Sequence, residues 1–464
     1  MPKTTVARVG LRRDLLRYGG AIFGAAGLSV VQVFLIPRQL DVPTYGHYRL
    51  FLTFVSQIGV LHFGLADGAF LRWAGESPGL IAREWRRVVR WLLAIELALV
   101  VAVSSLAAFS GPLVRTFLIA IVVCALFANV VALCCYALQA AGDFRRAGRV
   151  MITAPILFVA GLFVFSSHVL TQVLALYIAS FAISAIYGAS CILRIRREAE
   201  APASPLKLGT LVGAGLPVLG ASYAAVLAQS VDRLLVSVAS PITDFALYGF
   251  ASTAGVAANS ATQAVSRVAL SHAARRPVED RARFLGEFFY LIAAGFGAAL
   301  VAEPLFEHVV ARTLPLYGSA LPIVRSLTLG LPFWVGIHVV IVCTLQSCAL
   351  VRRQLVVELI GVAFVALTVG ASLYAGVPLW SVAGAVSLAG ALTLASGTVV
   401  VRRSLPHAPA QPVVAFTGTV IVQGAALLIA LFTTDRWIMQ TMIYAALAAA
   451  PTIWSARRAA RAHL

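Results

Sequence analysis

The chain is poor in charge and poorer still in acid. Only 12% of its 464 residues are charged, with 18 Asp+Glu against 36 Lys+Arg. A soluble domain carries roughly 25% charged residues, so an ordinary water-soluble globule is excluded. Cysteine is scarce. Cys124, Cys134, Cys135, Cys191, Cys343 and Cys348 fall within apolar runs and none has CxxC spacing. That pattern speaks against a zinc site or a disulfide framework and for packing. The eight histidines form no HExxH motif, there is no GxxxxGK[ST] phosphate loop, and no nucleophile elbow organises the serines, histidines and aspartates. Direct ATP hydrolysis and metalloprotease chemistry lose their motifs. The expectation is a protein that is not an enzyme and takes no cofactor or metal.

What is abundant is apolar. The chain is 60% hydrophobic with mean hydropathy +0.92. Runs of about 20 residues, each enough to cross a ~30 Å hydrocarbon layer as a helix, recur from end to end. They lack the period-two alternation of a barrel strand. The predicted fold is an all-α polytopic membrane protein of about fourteen transmembrane helices, at 18–37, 50–71, 89–109, 116–138, 151–167, 170–193, 210–236, 245–266, 284–302, 319–346, 355–374, 379–401, 413–433 and 437–455. The first run is too long for a signal core and is read as retained.

Most of the basic charge falls on one side of this layout. It forms clusters such as Arg12/Arg13/Arg17, Arg83/Arg86/Arg87/Arg90, Arg145/Arg146/Arg149, Arg194/Arg196/Arg197/Lys207, Arg275/Arg276/Arg281/Arg283 and Arg457/Arg458/Arg461. The positive-inside rule makes that side cytoplasmic, with both termini inside. The +18 net charge then needs no nucleic-acid partner, and membrane lipid headgroups are the expected counter-charge.

The longest inner loop, with "REAEAPASP", lies at mid-chain and separates six spans from six more. The predicted organisation is an N-terminal six-helix lobe at 1–197, a cytoplasmic linker at 198–209, a C-terminal six-helix lobe at 210–403, and two additional helices with a basic tail at 413–464. The lobes share a weak repeat. Each has a short proline-bearing outer loop followed by Tyr-Gly, at Tyr45-Gly46 and Tyr248-Gly249, roughly 200 residues apart. Two pseudo-symmetric halves about an axis along the membrane normal suit a transporter.

Three segments carry a family resemblance. They are "LLRYGGAIFGAAGLSVVQVFLIPRQLDVPTYGHYRLF", "FGLADGAFLRWA" at 63–74, and "GLPVLGASYAAVLAQSVDRLLVSVASPITDFALYGFASTAG" at 215–255. The chain resembles the polysaccharide transporter, or O-antigen flippase, branch of the multidrug/oligosaccharidyl-lipid/polysaccharide exporter superfamily. The resemblance spreads over much of the chain. It implies export of a polyprenyl-diphosphate-linked oligosaccharide from the inner to the outer leaflet of the bacterial inner membrane, by alternating access between two lobes. A polysaccharide polymerase is a candidate partner. Two alternatives stay open: a drug or cation antiporter of the same superfamily, and a membrane polysaccharide polymerase or ligase, against which the short outer loops argue.

A lipid-anchored diphosphate needs cations in a low-dielectric site. The candidates are Arg49, Arg72, Arg233, Arg267 and Arg325. For Arg72 and Arg267 the competing role is inner-side anchoring. For Asp232-Arg233, near the outer end of a span read as one helix, it is a helix-end ion pair. The coupling or gating candidates are Asp67, Glu96, Asp232, Glu287 and Glu358. A buried carboxylate carries a proton or pairs with an arginine, and Asp67 is expected to pair with Arg72. "GGAIFGAAG" and "GAGLPVLG" permit close packing and bending. Trp73, Trp85, Trp91, Trp380, Trp437 and Trp454 read as interfacial anchors, and Trp334 as packing.

Overall fold

The computed structural model describes residues 6–165, 169–195, 206–273, 276–434 and 436–461. The mid-chain "REAEAPASP" and Arg275 lie outside the described residues. Among the described residues the chain is helical: α1 (Val6–Gln39), α2 (Val42–Val55), α3 (Leu65–Trp73), α4 (Pro78–Ala107), α5 (Pro112–Ala140), α6 (Phe144–Val164), α7 (Leu170–Leu193), α8 (Leu208–Ala228), α9 (Val231–Ala239), α10 (Ile242–Ala273), α11 (Val278–Leu300), α12 (Glu303–Thr313), α13 (Leu321–Gly336), α14 (Cys343–Ser347), α15 (Val351–Tyr374), α16 (Leu379–Ser404), α17 (Gln411–Thr433) and α18 (Trp437–Arg461).

Polar residues and prolines set the helix starts. Asp41 caps α2 by accepting from the Thr44 amide at 3.1 Å, and Asp143 caps α6 from Arg146 at 3.0 Å. Prolines begin α4 and α5 and sit in the first turn of α12, α13 and α17, where the missing N–H costs nothing.

Among the described residues, ten helices are long and apolar enough to cross a membrane, and α2 with α3 form a bent pair, turned by 59°, that passes the same test as one span. Large apolar side chains lie on the outside, such as Phe109 at 93% and Phe432 at 82% exposed. Such a surface suits hydrocarbon and not water. The protein is a multi-pass membrane protein.

Two predicted spans are interrupted. Span two breaks between α2 and α3, through a 3₁₀ turn at Ile58–His62 and two left-handed residues, Phe63 (φ 49°) and Gly64 (φ 76°). Span seven is not one helix. It stops at Ala228 and resumes at Val231, so Asp232-Arg233 opens a separate short helix. A third span runs on but changes pitch, with the π-helical turn Ile337–Val342 between α13 and α14.

The chain divides into two compact units, Met1–Leu227 and Ala228–Leu464. In unit 1 an aromatic cluster joins α2, α6 and α7: the Tyr177 ring meets Phe158 at 5.1 Å and Phe51 at 5.7 Å. The Ser184 hydroxyl donates to the Val150 carbonyl at 2.7 Å. α8 packs on α3 through bare backbone. A Cβ at Gly215 would collide with the Gly64 carbonyl, and one at Gly68 with the Leu211 carbonyl. That contact holds α8 within unit 1.

In unit 2, α13 and α16 are tied by the Ser387 hydroxyl, which donates to the Ser326 carbonyl at 2.6 Å. Trp334 packs against Gly390. α17 and α18 dock on α11 through buried polar ties. Gln423 donates to the Ala293 carbonyl at 3.1 Å and to Thr452 at 2.9 Å, and Tyr444 donates to the Gly297 carbonyl at 2.7 Å.

Candidate functional site

In unit 2 the α8–α9 interruption presents a charged group. Asp232 is 6% exposed. Its Oδ2 accepts from the Tyr248 hydroxyl at 2.8 Å, and its Oδ1 lies 3.8 Å from Arg233 Nε. The Arg233 guanidinium donates to the Gln229 carbonyl, which the break leaves without a helical partner. Tyr248 is the tyrosine of the second Tyr-Gly pair, and it is fully buried. The pattern singled out that tyrosine only as a repeat marker; the structure makes it the residue that orients Asp232.

Arg325 sits in the second turn of α13 and turns toward α12. It forms a two-pronged pair with Glu307, with the second bond at 2.6 Å. Charge-assisted forks of this kind fix geometry as well as energy. Glu303, one turn earlier, is 8% exposed, and its Oε1 has no hydrogen-bond partner. Burial, with the neighbouring Glu307 carboxylate, pushes the Glu303 carboxyl up to about 7 against the opposing pull of Arg325. Neither glutamate stood out as a site residue in the sequence. Their i,i+4 spacing was the available signal.

In unit 1 the interruption of span two gathers two polar groups. Glu96 is 1% exposed and accepts from the Asn129 amide at 2.5 Å; the same amide donates to the Ile58 carbonyl of the 3₁₀ turn at 3.3 Å. Glu96 Oε2 has no hydrogen-bond partner. His62 Nδ1 accepts from the Gly64 amide at 3.2 Å, and its Nε2 lies 3.9 Å from Asp67, which also takes a hydrogen bond from Tyr136.

The expected Asp67–Arg72 pair is not formed. Five residues apart on one helix is about 140° around its axis, so the two side chains diverge. Arg72 instead bonds Glu76 at 2.5 Å and Glu84 at 3.4 Å, and Trp73 Nε1 donates to Glu84 at 3.1 Å. Trp73 and Trp85 are buried, 0% and 3% exposed, rather than anchored at an interface.

Arg49 is 7% exposed on α2. Its charge is felt by Tyr45, Tyr48 and Tyr177, so it lies in the aromatic cluster of unit 1. Glu287 is half-buried on α11. Glu358 is 1% exposed on α15, with His338 Nδ1 at 3.9 Å from its Oε1. Arg267 lies on α10, and its side chain is outside the described residues. Within unit 1, Arg49, Asp67, Arg72 and Glu96 each have different partners; within unit 2, Arg325 pairs with Glu307 and not with Asp232. All six cysteines are free, and among the described residues no group of His, Cys, Asp and Glu could hold a metal.

No protein-family model matches the chain, and no curated protein matches it. Solved structures do. A structure described as the lipid II flippase MurJ in an inward closed conformation is similar at TM-score 0.72 and 15% identity, over 95% of this chain and 98% of that one. A MOP-superfamily transporter from Pyrococcus furiosus is similar at TM-score 0.62 and 13% identity, over 85% and 95%. An inward-facing multidrug resistance MATE family transporter is similar at TM-score 0.61 and 14% identity, over 84% and 94%. At these identities the likeness establishes the fold: this chain has the fold of the MOP-superfamily transporters.

Proposed function

We propose that the protein is a flippase that moves a polyprenyl-diphosphate-linked oligosaccharide from the inner to the outer leaflet by alternating access, for surface polysaccharide biosynthesis. In this reading it spans the bacterial inner membrane fourteen times with both termini cytoplasmic. The lobes are 1–197 and 210–403, joined at 198–209, with 413–464 added, and a polysaccharide polymerase receives the product. The observation that carries the reading is Arg233. It is a mostly buried guanidinium at an interrupted span, oriented by Asp232 and by a freed carbonyl. Interrupted membrane helices are where transporters build substrate sites, and a guanidinium suits a diphosphate. Arg49 supplies a second buried cation in unit 1. The fold shared with a lipid flippase agrees.

A second reading, a drug or cation antiporter, is favoured by Glu96 and Glu358. Both are 1% exposed, and neither has an arginine partner among the described residues.

Reconstitution separates the two. The full chain is placed in vesicles with a fluorescent polyprenyl-diphosphate oligosaccharide, and leaflet exchange is followed by quenching from outside. Wild type accelerates exchange, and Arg233→Ala slows it by about tenfold or more. Exchange no faster than in protein-free vesicles, with uptake of a lipophilic cationic dye, moves the assignment to the antiporter.

A further inference from the structure

The contacts of Arg233 continue inward. Gln229, whose carbonyl holds the guanidinium, also places its side-chain Nε2 3.1 Å from His338 Nε2. His338 Nδ1 in turn lies 3.9 Å from Glu358 Oε1. The His338 side chain is 14% exposed and that of Glu358 1%. His338 belongs to the π-helical turn Ile337–Val342, a costly geometry that collects at functional positions. One line of polar groups therefore runs through unit 2, from Tyr248 and Asp232 through Arg233, Gln229 and His338 to Glu358.

We propose that His338 and Glu358 form a proton-binding pair, and that Gln229 passes the protonation of His338 to Arg233. An amide nitrogen is always a donor, so the face of His338 Nε2 turned to Gln229 is its lone pair. The imidazole proton then sits on Nδ1, toward Glu358. A second proton, on Nε2, would set donor against donor. The Gln229 amide must then turn to offer Oε1, and the residue that turns is the one gripping Arg233 at the helix interruption. A proton bound to Glu358 instead leaves Nε2 bare and the amide in place, so the pair has two distinguishable loaded states.

Coupling of this kind is reciprocal: whatever Arg233 binds alters proton uptake by the same factor. The titratable and charged groups along this line are Asp232 and Arg233 on α9, Tyr248 on α10, and Cys343 on α14. The Cys343 thiol faces the Ser266 and His338 carbonyls at 3.5 and 3.4 Å. No lysine or arginine among the described residues pairs with His338 or Glu358.

The inference rests on the flippase reading only for what Arg233 faces, and its test uses no substrate. The full chain is labelled with ¹⁵N-histidine in lipid nanodiscs, and the His338 signals, identified by their loss in His338→Gln, are followed against pH. The imidazole shifts report a proton on either member of the pair. The expected result is a titration whose midpoint moves by about half a pH unit or more in Glu358→Gln, in Gln229→Leu and in Arg233→Gln. Gln229→Leu and Arg233→Gln leave the pair itself intact, so they decide the wiring even where Glu358→Gln does not fold. Constant His338 shifts from about pH 4 to about pH 10 overturn the proton site, and a midpoint indifferent to Gln229→Leu and Arg233→Gln overturns the coupling. Either failure leaves the leaflet-exchange result standing.

Discussion

At the scale of single residues, several of the buried charges are committed to specific partners. Arg325 and Glu307 show what that commitment is worth. Removing the arginine alone strands a carboxylate that is 9% exposed. Arg325→Met should therefore lower stability by about 3 kcal/mol. The double variant Arg325→Met/Glu307→Leu should recover most of the loss, and thermal unfolding in detergent reads both. Glu303 makes the pH dependence explicit. Its folded value, about 7, lies above the ordinary 4.5. The stability it contributes is present below 4.5 and disappears as pH climbs through 7, an effect of up to about 3 kcal/mol. Glu303→Gln should flatten the midpoint of thermal unfolding between those values, whereas an unchanged slope would refute the assignment. None of this pairing was legible in the residue pattern. Arg325 stood out as an arginine inside an apolar run, but its partner arrives on α12, across a turn whose path the pattern does not reveal. Asp67 and Arg72 looked like partners because they are near in sequence, yet helix geometry points them apart.

At the scale of elements, the apolar runs were readable and their interruptions were not. Span seven looks continuous because Gln229 and Ser230 cost a helix little. Side chains hold the break: Arg233, four residues on, takes the Gln229 carbonyl, and Tyr248 from α10 holds Asp232 at the new start. Span two shows a little more. His62, Phe63 and Gly64 interrupt its hydrophobic period, and Gly64 adopts a left-handed φ of 76°. The glycines of "GAGLPVLG" were expected to allow close packing, and Gly215 does so against the backbone of Gly64 and Gly68. Backbone cannot retreat as a side chain can. Gly215→Leu should therefore separate α8 from α3, at a cost of about 3 kcal/mol or more or with failure to accumulate folded protein. Gly209→Leu, where a Cβ would meet nothing within 4 Å, is the matched control and should be tolerated. Equal losses at both positions would show that the close contact is not what the glycine serves.

At the scale of the whole molecule, composition alone announces the membrane: 12% charge and mean hydropathy +0.92 leave no room for a soluble globule. The fold shared with MOP-superfamily transporters shows in the comparison with solved structures, while no family model matches the sequence. The cargo is the claim most exposed to test. The measurement that reaches it directly is made in a strain lacking this gene, asking in which leaflet the polyprenyl-linked glycan collects. The account predicts accumulation confined to the cytoplasmic leaflet, relieved by the wild-type chain and not by Arg233→Ala. Normal outward movement of the glycan, accompanied by new sensitivity to cationic dyes, would contradict it and return Asp232-Arg233 to the role of a helix-end ion pair.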